Sequence, residues 1–173
     1  ALAMYSELSL ERKNGSKKHK LKPKSFLRFA PGSMRKESSG ERLNTLSAFS
    51  IDRLNSLTNF ETGLSGTLGF DYQISDDKNE LNFSVAQIIN EKKSKKMHQK
   101  TSLNSKLSDL VGSANYKIND NFELNYNFSL DHNYDDLIYN ELGTTTRFGP
   151  VLMKYDYLQE KKHIGDQDYI KAI

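Results

Sequence analysis

The sequence predicts an all-β chain: an antiparallel segment of a transmembrane β-barrel, with about eight long meander strands of a larger barrel. Three observations carry this. Apolar and polar side chains alternate over stretches of up to fifteen residues, the period of a strand with one apolar face. No run of about 18 apolar residues occurs, so no stretch is suited to cross a bilayer as a helix. Short turn-forming connections alternate with longer polar ones, as in barrels with short turns on one side of the membrane and loops on the other.

Composition agrees with that reading. The chain has 173 residues, with 25 Lys+Arg against 22 Asp+Glu and a net charge of +3. A mean hydropathy of −0.72 and a hydrophobic fraction of 36% would by themselves point toward disorder. The 9 Phe and 9 Tyr point the other way. A transmembrane strand shows lipid only every second side chain, so its average hydropathy stays low while its alternation is strict. The length sets about one domain, residues 1–173 as a partial barrel domain. The absence of cysteine excludes a disulfide framework, a thiolate zinc site and a cysteine nucleophile from these residues.

Taken in order, a first strand is expected near 1–13, where Leu2, Met4, Leu8 and Leu10 share a parity. Asn14-Gly15-Ser16 turns the chain into 17–30, with Leu21, Leu27 and Phe29 on one parity. A long polar connection follows over about 31–58. Counting 43–52 as a spanning strand would put the later short turns on the wrong side, so it is placed in an outer loop, with room for local β structure.

The strand at 58–75 is the clearest. Phe60, Thr62, Leu64, Gly66, Leu68, Phe70, Tyr72 and Ile74 alternate with Glu61, Gly63, Ser65, Thr67, Gly69, Asp71 and Gln73. Fifteen residues at about 3.3 Å each, tilted by roughly 45°, climb about 35 Å, more than an apolar band of about 25 Å requires. Phe60 and Tyr72 fall where interfacial aromatic girdles belong, against the plainer reading of aromatic enrichment in strands.

After the turn Asp76-Asp77-Lys78-Asn79, strand 80–91 carries Leu81, Phe83, Val85, Gln87 and Ile89 on one face. A loop at 91–105 leads to 105–118, with Leu110, Gly112, Ala114, Tyr116 and Ile118. Asn119-Asp120-Asn121 then turns into 122–134. There Phe122, Leu124, Tyr126, Phe128 and Leu130 oppose Glu123, Asn125, Asn127, Ser129 and Asp131. Strands at 137–148 and 150–159 follow, the latter with Val151, Met153, Tyr155 and Tyr157, and a ninth starts near 168. The chain begins and ends inside strands, so a piece of a larger barrel is expected.

Parity assigns the faces. Leu64, Leu68, Phe70, Leu124, Tyr126 and Phe128 are expected to face lipid; Ser65, Thr67, Gln73, Asn125 and Asn127 are expected to face the lumen. No catalytic constellation emerges. His132 neighbours Asp131, Asp135 and Asp136, but alternation puts Asp131 and His132 on opposite faces, and a solvated loop end is the plainer reading. His19, His98 and His163 lack partners at ligand spacing, and no serine sits in a nucleophile elbow. No enzyme activity, cofactor or metal is expected. Basic clusters lie at Arg12, Lys13, Lys17, Lys18, Lys20, Lys22 and Lys24, and at Lys92, Lys93, Lys95, Lys96 and Lys100. Neither carries stacking aromatics or lies on a helix face, which argues against nucleic acid as a partner.

From Ser84, SVAQIINEKKSKKMHQKTSLNSKLSDLVGSANYKINDNFELNYNFSLDHNYDDLIYNEL resembles the C-terminal barrel of the lipopolysaccharide-assembly family LptD (OstA or Imp). The order of features carries the likeness: a SVAQ strand, a polar loop, SDLVG, a short turn, LNYNFSLD and YNEL. KYDYLQEKKHIGDQDYI from Lys154 is similar to a segment of alphaproteobacterial members, and LKPKSFLRFAPG and LSAFSIDR resemble segments further upstream in the family. Ala86 stands where the family usually has glycine, and Ser47-Ala48-Phe49 where it usually has Asn-Leu-Phe.

The resemblance implies a bacterial outer-membrane protein that inserts lipopolysaccharide (LPS) into the outer leaflet through an opening between the barrel's first and last strands. Its implied partners are LPS itself, outer-membrane lipids, an LptE-like plug lipoprotein and an LptA-like periplasmic bridge reached through a periplasmic domain. In that setting Lys92, Lys93, Lys95 and Lys96 become candidate contacts to LPS phosphates, beside the plainer reading of a solvated loop. The alternative is an outer-membrane porin or substrate-specific channel, which calls for an inward loop and charge rings. A barrel enzyme is disfavoured by the missing site, and a soluble β-sandwich binding module by strand length.

Overall fold

The computed structural model describes residues 1–54, 56, 58–161 and 167–172. Its strands are β1 (Leu2–Glu7), β2 (Leu10–Asn14), β3 (Lys17–Ala30), β4 (Gly63–Ser75), β5 (Asn79–Asn90), β6 (Leu110–Ile118), β7 (Phe122–Leu130), β8 (Leu137–Phe148), β9 (Val151–Glu160) and β10 (Gln167–Ala172). All ten join one antiparallel sheet in the order β1-β3-β4-β5-β6-β7-β8-β9-β10, with β2 also paired to β3. Among the described residues β1 and β10 are not paired with each other, so this sheet is open.

Register converts alternation into two faces. Side chains of directly paired residues point to the same side. One cross-strand row reads Leu21, Tyr72, Phe83, Ala114, Tyr126, Leu142, Tyr157 and Ile170. The adjacent row, on the opposite face, reads Lys20, Gln73, Asn82, Asn115, Asn125, Gly143, Asp156 and Lys171. A slip of one residue in any hairpin would exchange the two.

The short connections, at 15–16, 76–78, 119–121 and 149–150, all lie at one end of the sheet. Gly15 (φ 62°) and Gly149 (φ 58°) take the first positions of two-residue turns, where the left-handed backbone suits glycine. In the turn between β4 and β5, Asp76 Oδ1 accepts from the backbone N–H groups of Lys78 (2.9 Å) and Asn79 (2.8 Å). Those bonds hold its carboxyl below the usual range.

Four expected strand boundaries shift, each for a local reason. The strand expected at 1–13 is two strands, because Pro23 interrupts the ladder. The Leu8 N–H donates to the Pro23 carbonyl (3.2 Å), but proline has no N–H to return. β4 starts at Gly63 (φ 110°) rather than near 58, since residues 59–62 leave the sheet. Phe60 therefore lies outside the strand, its ring 4.9 Å from the Arg28 guanidinium. β6 starts at Leu110 rather than 105, because Ser108 turns back and its Oγ accepts from the Ile88 N–H (2.9 Å). β7 ends at Leu130, where the chain bends through Tyr134 (φ 65°).

The largest departure is the loop over 31–62. It carries no strand among its described residues, only a 3-10 turn at Ser47–Phe49. It does not extend away from the sheet but folds back over the polar face and interlocks with 91–109, the Glu37 N–H donating to the Lys96 carbonyl (2.8 Å). Met34, Leu43, Ala48, Met97 and Leu103 from the two loops bury against Ala86, Ile88 and Val111 of the sheet. The core is thus a roof seated on one half of the polar face.

Candidate functional site

Beneath the roof lies a charged cluster. Arg28 of β3 is 1% exposed, Glu61 4% and Arg53 7%. Arg28 donates from Nε to the Ile51 carbonyl (2.8 Å) and from Nη2 to the Glu61 carbonyl (2.5 Å). Arg53 Nη1 meets Glu61 Oε1 at 3.3 Å, and its Nη2 donates to Ser65 Oγ (3.2 Å) and Thr67 Oγ1 (3.4 Å). Thr67 Oγ1 in turn donates to the Ala48 carbonyl (2.8 Å). Two arginines share one carboxylate, and burial, reinforced by Arg28, pushes the Arg53 guanidinium pKa down. Buried charges are tolerated only when paired and hydrogen-bonded, so this cluster fixes where the loop sits.

Two further anchors flank it. The Phe49 ring lies under Lys24 Nζ (4.6 Å) and edge-on to Tyr5 (6.1 Å between centroids). A Cβ on Gly69 would run into the Val85 carbonyl oxygen of β5 and meet the Phe49 ring at 3.0 Å, so glycine there serves both the close approach of the strands and the seating of the ring. On the far side Arg42 pairs with Glu160 (2.5 Å) and lies over the Tyr139 ring (4.8 Å). A hollow of about 710 Å³ opens between this stretch of the loop and the sheet, lined by Arg42, Thr45, Ser113, Asn127, Tyr139 and Glu141 among others.

Toward the short turns the polar face is uncovered. Gln73 and Asn82 donate to Glu80 (3.0 and 2.7 Å), Asn115 to Glu123 (2.9 Å), and Asn127 to Glu141 (2.9 Å). The face is a belt of amides and carboxylates bordered by the lysines of β3.

The expected site residues fall on two faces. Leu64, Leu68, Phe70, Leu124, Tyr126 and Phe128 share the apolar one. Tyr126 and Phe128 stack at 5.7 Å, and Gly112 leaves the space the Phe128 ring fills. Ser65, Thr67, Gln73, Asn125 and Asn127 share the polar face, where Ser65 and Thr67 are buried under the roof and Asn125 and Asn127 are exposed. Lys92, Lys93, Lys95 and Lys96 are exposed in the second loop, Lys92 Nζ 3.5 Å from Glu91. His163 lies outside the described residues. Among those described, no three His, Cys, Asp or Glu side chains are grouped to hold a metal ion.

Arg28, Arg53, Glu61 and Phe49 were not legible as a site, yet a signal existed. Phe26, Ala86, Ile88 and Val111 place apolar side chains on the parity that is otherwise polar. Such a patch needs a cover, and the 31–62 loop supplies Met34, Leu43 and Phe49 to provide it.

A sheet of long strands, apolar on one face, polar and roofed on the other, with its short turns at one end, is a wall of a membrane-type β-barrel. The family model LptD, LPS transport system D, matches residues 5–171. The chain belongs to this outer-membrane family and is part of lipopolysaccharide transport. No curated protein matches it.

Proposed function

We propose that residues 1–173 form one partial barrel domain of a bacterial outer-membrane protein that inserts LPS into the outer leaflet. In this reading the apolar face meets lipid, with Leu64, Leu68, Phe70, Leu124, Tyr126 and Phe128 in contact with it. Ser65, Thr67, Gln73, Asn125 and Asn127 belong to the lumen wall. An LptE-like plug would share that lumen, and an LptA-like bridge would deliver LPS from the periplasm. The short turns lie on the periplasmic side, and 31–62 and 91–109 lie outside, where Lys92, Lys93, Lys95 and Lys96 meet LPS phosphates. The observation that carries the reading is the continuous apolar row from Leu21 to Ile170, opposite a continuous polar one, in a chain of the LptD family.

One observation favours the channel reading: the 31–62 loop folds inward, as a porin's constriction loop does. The roof, however, seals its half of the face with apolar packing and a neutralising Glu61, where a pore needs an open ring of charge.

Site-directed labelling tests the topology. In intact cells producing the full-length protein, a cysteine at Ser94 should react with an impermeant maleimide. A cysteine at Asp120 should stay unlabelled until the outer membrane is permeabilised. The reverse pattern would invert the barrel and remove the role given to the loop lysines.

A further inference from the structure

The even positions of β3 place Lys18, Lys20, Lys22, Lys24 and Arg28 on the polar face. Alternate residues of a strand lie roughly 7 Å apart, so these cations form a ladder broken only at Phe26. Lys18 and Lys20 share Glu11 (3.3 and 3.0 Å), and Lys24 pairs with Asp71 (2.8 Å). The Lys22 side chain has no hydrogen-bond or ion-pair partner among the described residues, and it borders a hollow of about 230 Å³ with Lys20, Asp71, Gln73 and Asn82. At the top of the ladder, under the roof, Arg28 Nη1 and Arg53 Nε are buried donors without a hydrogen-bond partner. With Arg53 the column holds six cations against four carboxylates, Glu11, Asp71 and Glu61, which are ion-paired, and Glu7, which stands opposite Lys24. Farther along the sheet, beyond β4, strands β5 to β8 offer instead the amide and carboxylate belt, in which Lys117 stands between Glu80 and Glu123 and carboxylates outnumber it, so an anion is favoured at β3.

We infer that the polar face of β3 is a phosphate track, engaging phosphate groups of the transported glycolipid one after another between the short-turn end and the roof. This rests on the transport function proposed above. The residue types suit passage rather than capture. A lysine ammonium is a mobile point charge, whereas a free arginine fork grips phosphate at two points. Arg28, the ladder's one arginine, has two of its donors committed to backbone carbonyls. Passage along a wall requires several sites, each strong enough to enter and weak enough to leave, and evenly spaced lysines, exposed at Lys18 and half-buried from Lys20 to Lys24, provide that.

Photocrosslinking in cells that depend on the full-length protein tests the track. A benzophenone amino acid at Gln73 lies beside Lys20 and Lys22 and leaves both in place. On irradiation it should capture phosphorylated glycolipid. Capture should fall about fivefold in K20Q/K22Q, the scale of two charge contacts at a wetted protein surface. It should fall equally with enzymatically dephosphorylated glycolipid. Lys17→Gln removes the same charge from the opposite parity and should leave capture unchanged, and heat-modifiable gel mobility should report an intact barrel in every variant. Capture indifferent to both lysines and phosphates, with normal glycolipid arrival at the cell surface, overturns the track and leaves the transport function standing. A loss of inorganic phosphate conductance in K20Q/K22Q without any change in capture assigns the lysines to the free ion and likewise overturns it. A wild-type protein that brings no glycolipid to the surface removes the transport function and the track together.

Discussion

The polar face is one surface by parity and two by environment. Near the long connections it is dry: Arg28, Ser65 and Thr67 are covered, and apart from Arg28 Nη1 their polar atoms are answered by Ile51, Ala48, Arg53 and Glu61. Near the short turns the same parity is wet, and Gln73, Asn115 and Asn125 bond sideways to neighbouring carboxylates or amides. Strand alternation decides which way a side chain points. The length and apolar content of the connection above it decide whether water reaches it.

Breaking the dry half should cost most. Glu61→Gln leaves Arg28 and Arg53 buried without a counter-charge, an expected loss of about 3–5 kcal/mol. Glu80→Gln in the wet belt should cost less than about 1 kcal/mol. Denaturant unfolding of the full-length protein in detergent measures both, and similar values would mean that the roof does not seal its cluster.

The comparison of faces sharpens next. Leu68, 58% exposed on the apolar face, should lose about 2–4 kcal/mol on replacement by arginine in a bilayer. Asn125→Arg should lose less than about 1 kcal/mol, since its head group reaches water. Thr67→Arg is not mild despite its parity, because it brings a third cation against Arg53, and it should cost at least as much as Leu68→Arg. Equal costs at 68 and 125, read from folding equilibria in vesicles, would contradict the assignment of lipid to the apolar face.

The smallest effect lies at the wet end, in the β4–β5 turn. The Asp76 carboxyl titrates below its ordinary value because backbone N–H groups of Lys78 and Asn79 bind its charged form. A lowered folded-state pKa adds stability above the unfolded value, and that stability is lost as the pH falls through the folded one. The difference in stability between the wild type and Asp76→Asn, measured across the acid range, should therefore be present at neutral pH and vanish in strong acid.

Most of the sheet was legible because period two leaves little freedom: Leu64 to Ile74 and Phe122 to Leu130 admit one register and one choice of faces. The strand ends were less so. Residues 58–62 continue the alternation of β4, and only the pull of Glu61 into the arginine cluster removes them from the sheet. Similarly, 105–109 look like strand until Ser108 is needed against Ile88. The roof was hidden because its apolar residues follow no period; Met34, Leu43 and Phe49 are spaced irregularly through a polar loop. The β3 ladder was read as a basic run, although taking alternate positions would have separated Lys18, Lys20, Lys22 and Lys24 from Lys17.

The Arg42–Glu160 pair spans 118 positions of chain, which bears on the order of assembly. Loop closure between such distant residues is entropically unfavourable until intervening structure shortens the gap. The hairpins at the short-turn end, by contrast, each close over two or three residues. The roof's attachment at Arg42 therefore waits for β9 to join the sheet, and its contact with 91–109 waits for the hairpin of β4 and β5. Until then Phe26, Ala86, Ile88 and Val111 stand uncovered on a face that later holds them dry, so the unfinished sheet carries an adhesive patch that the finished one conceals.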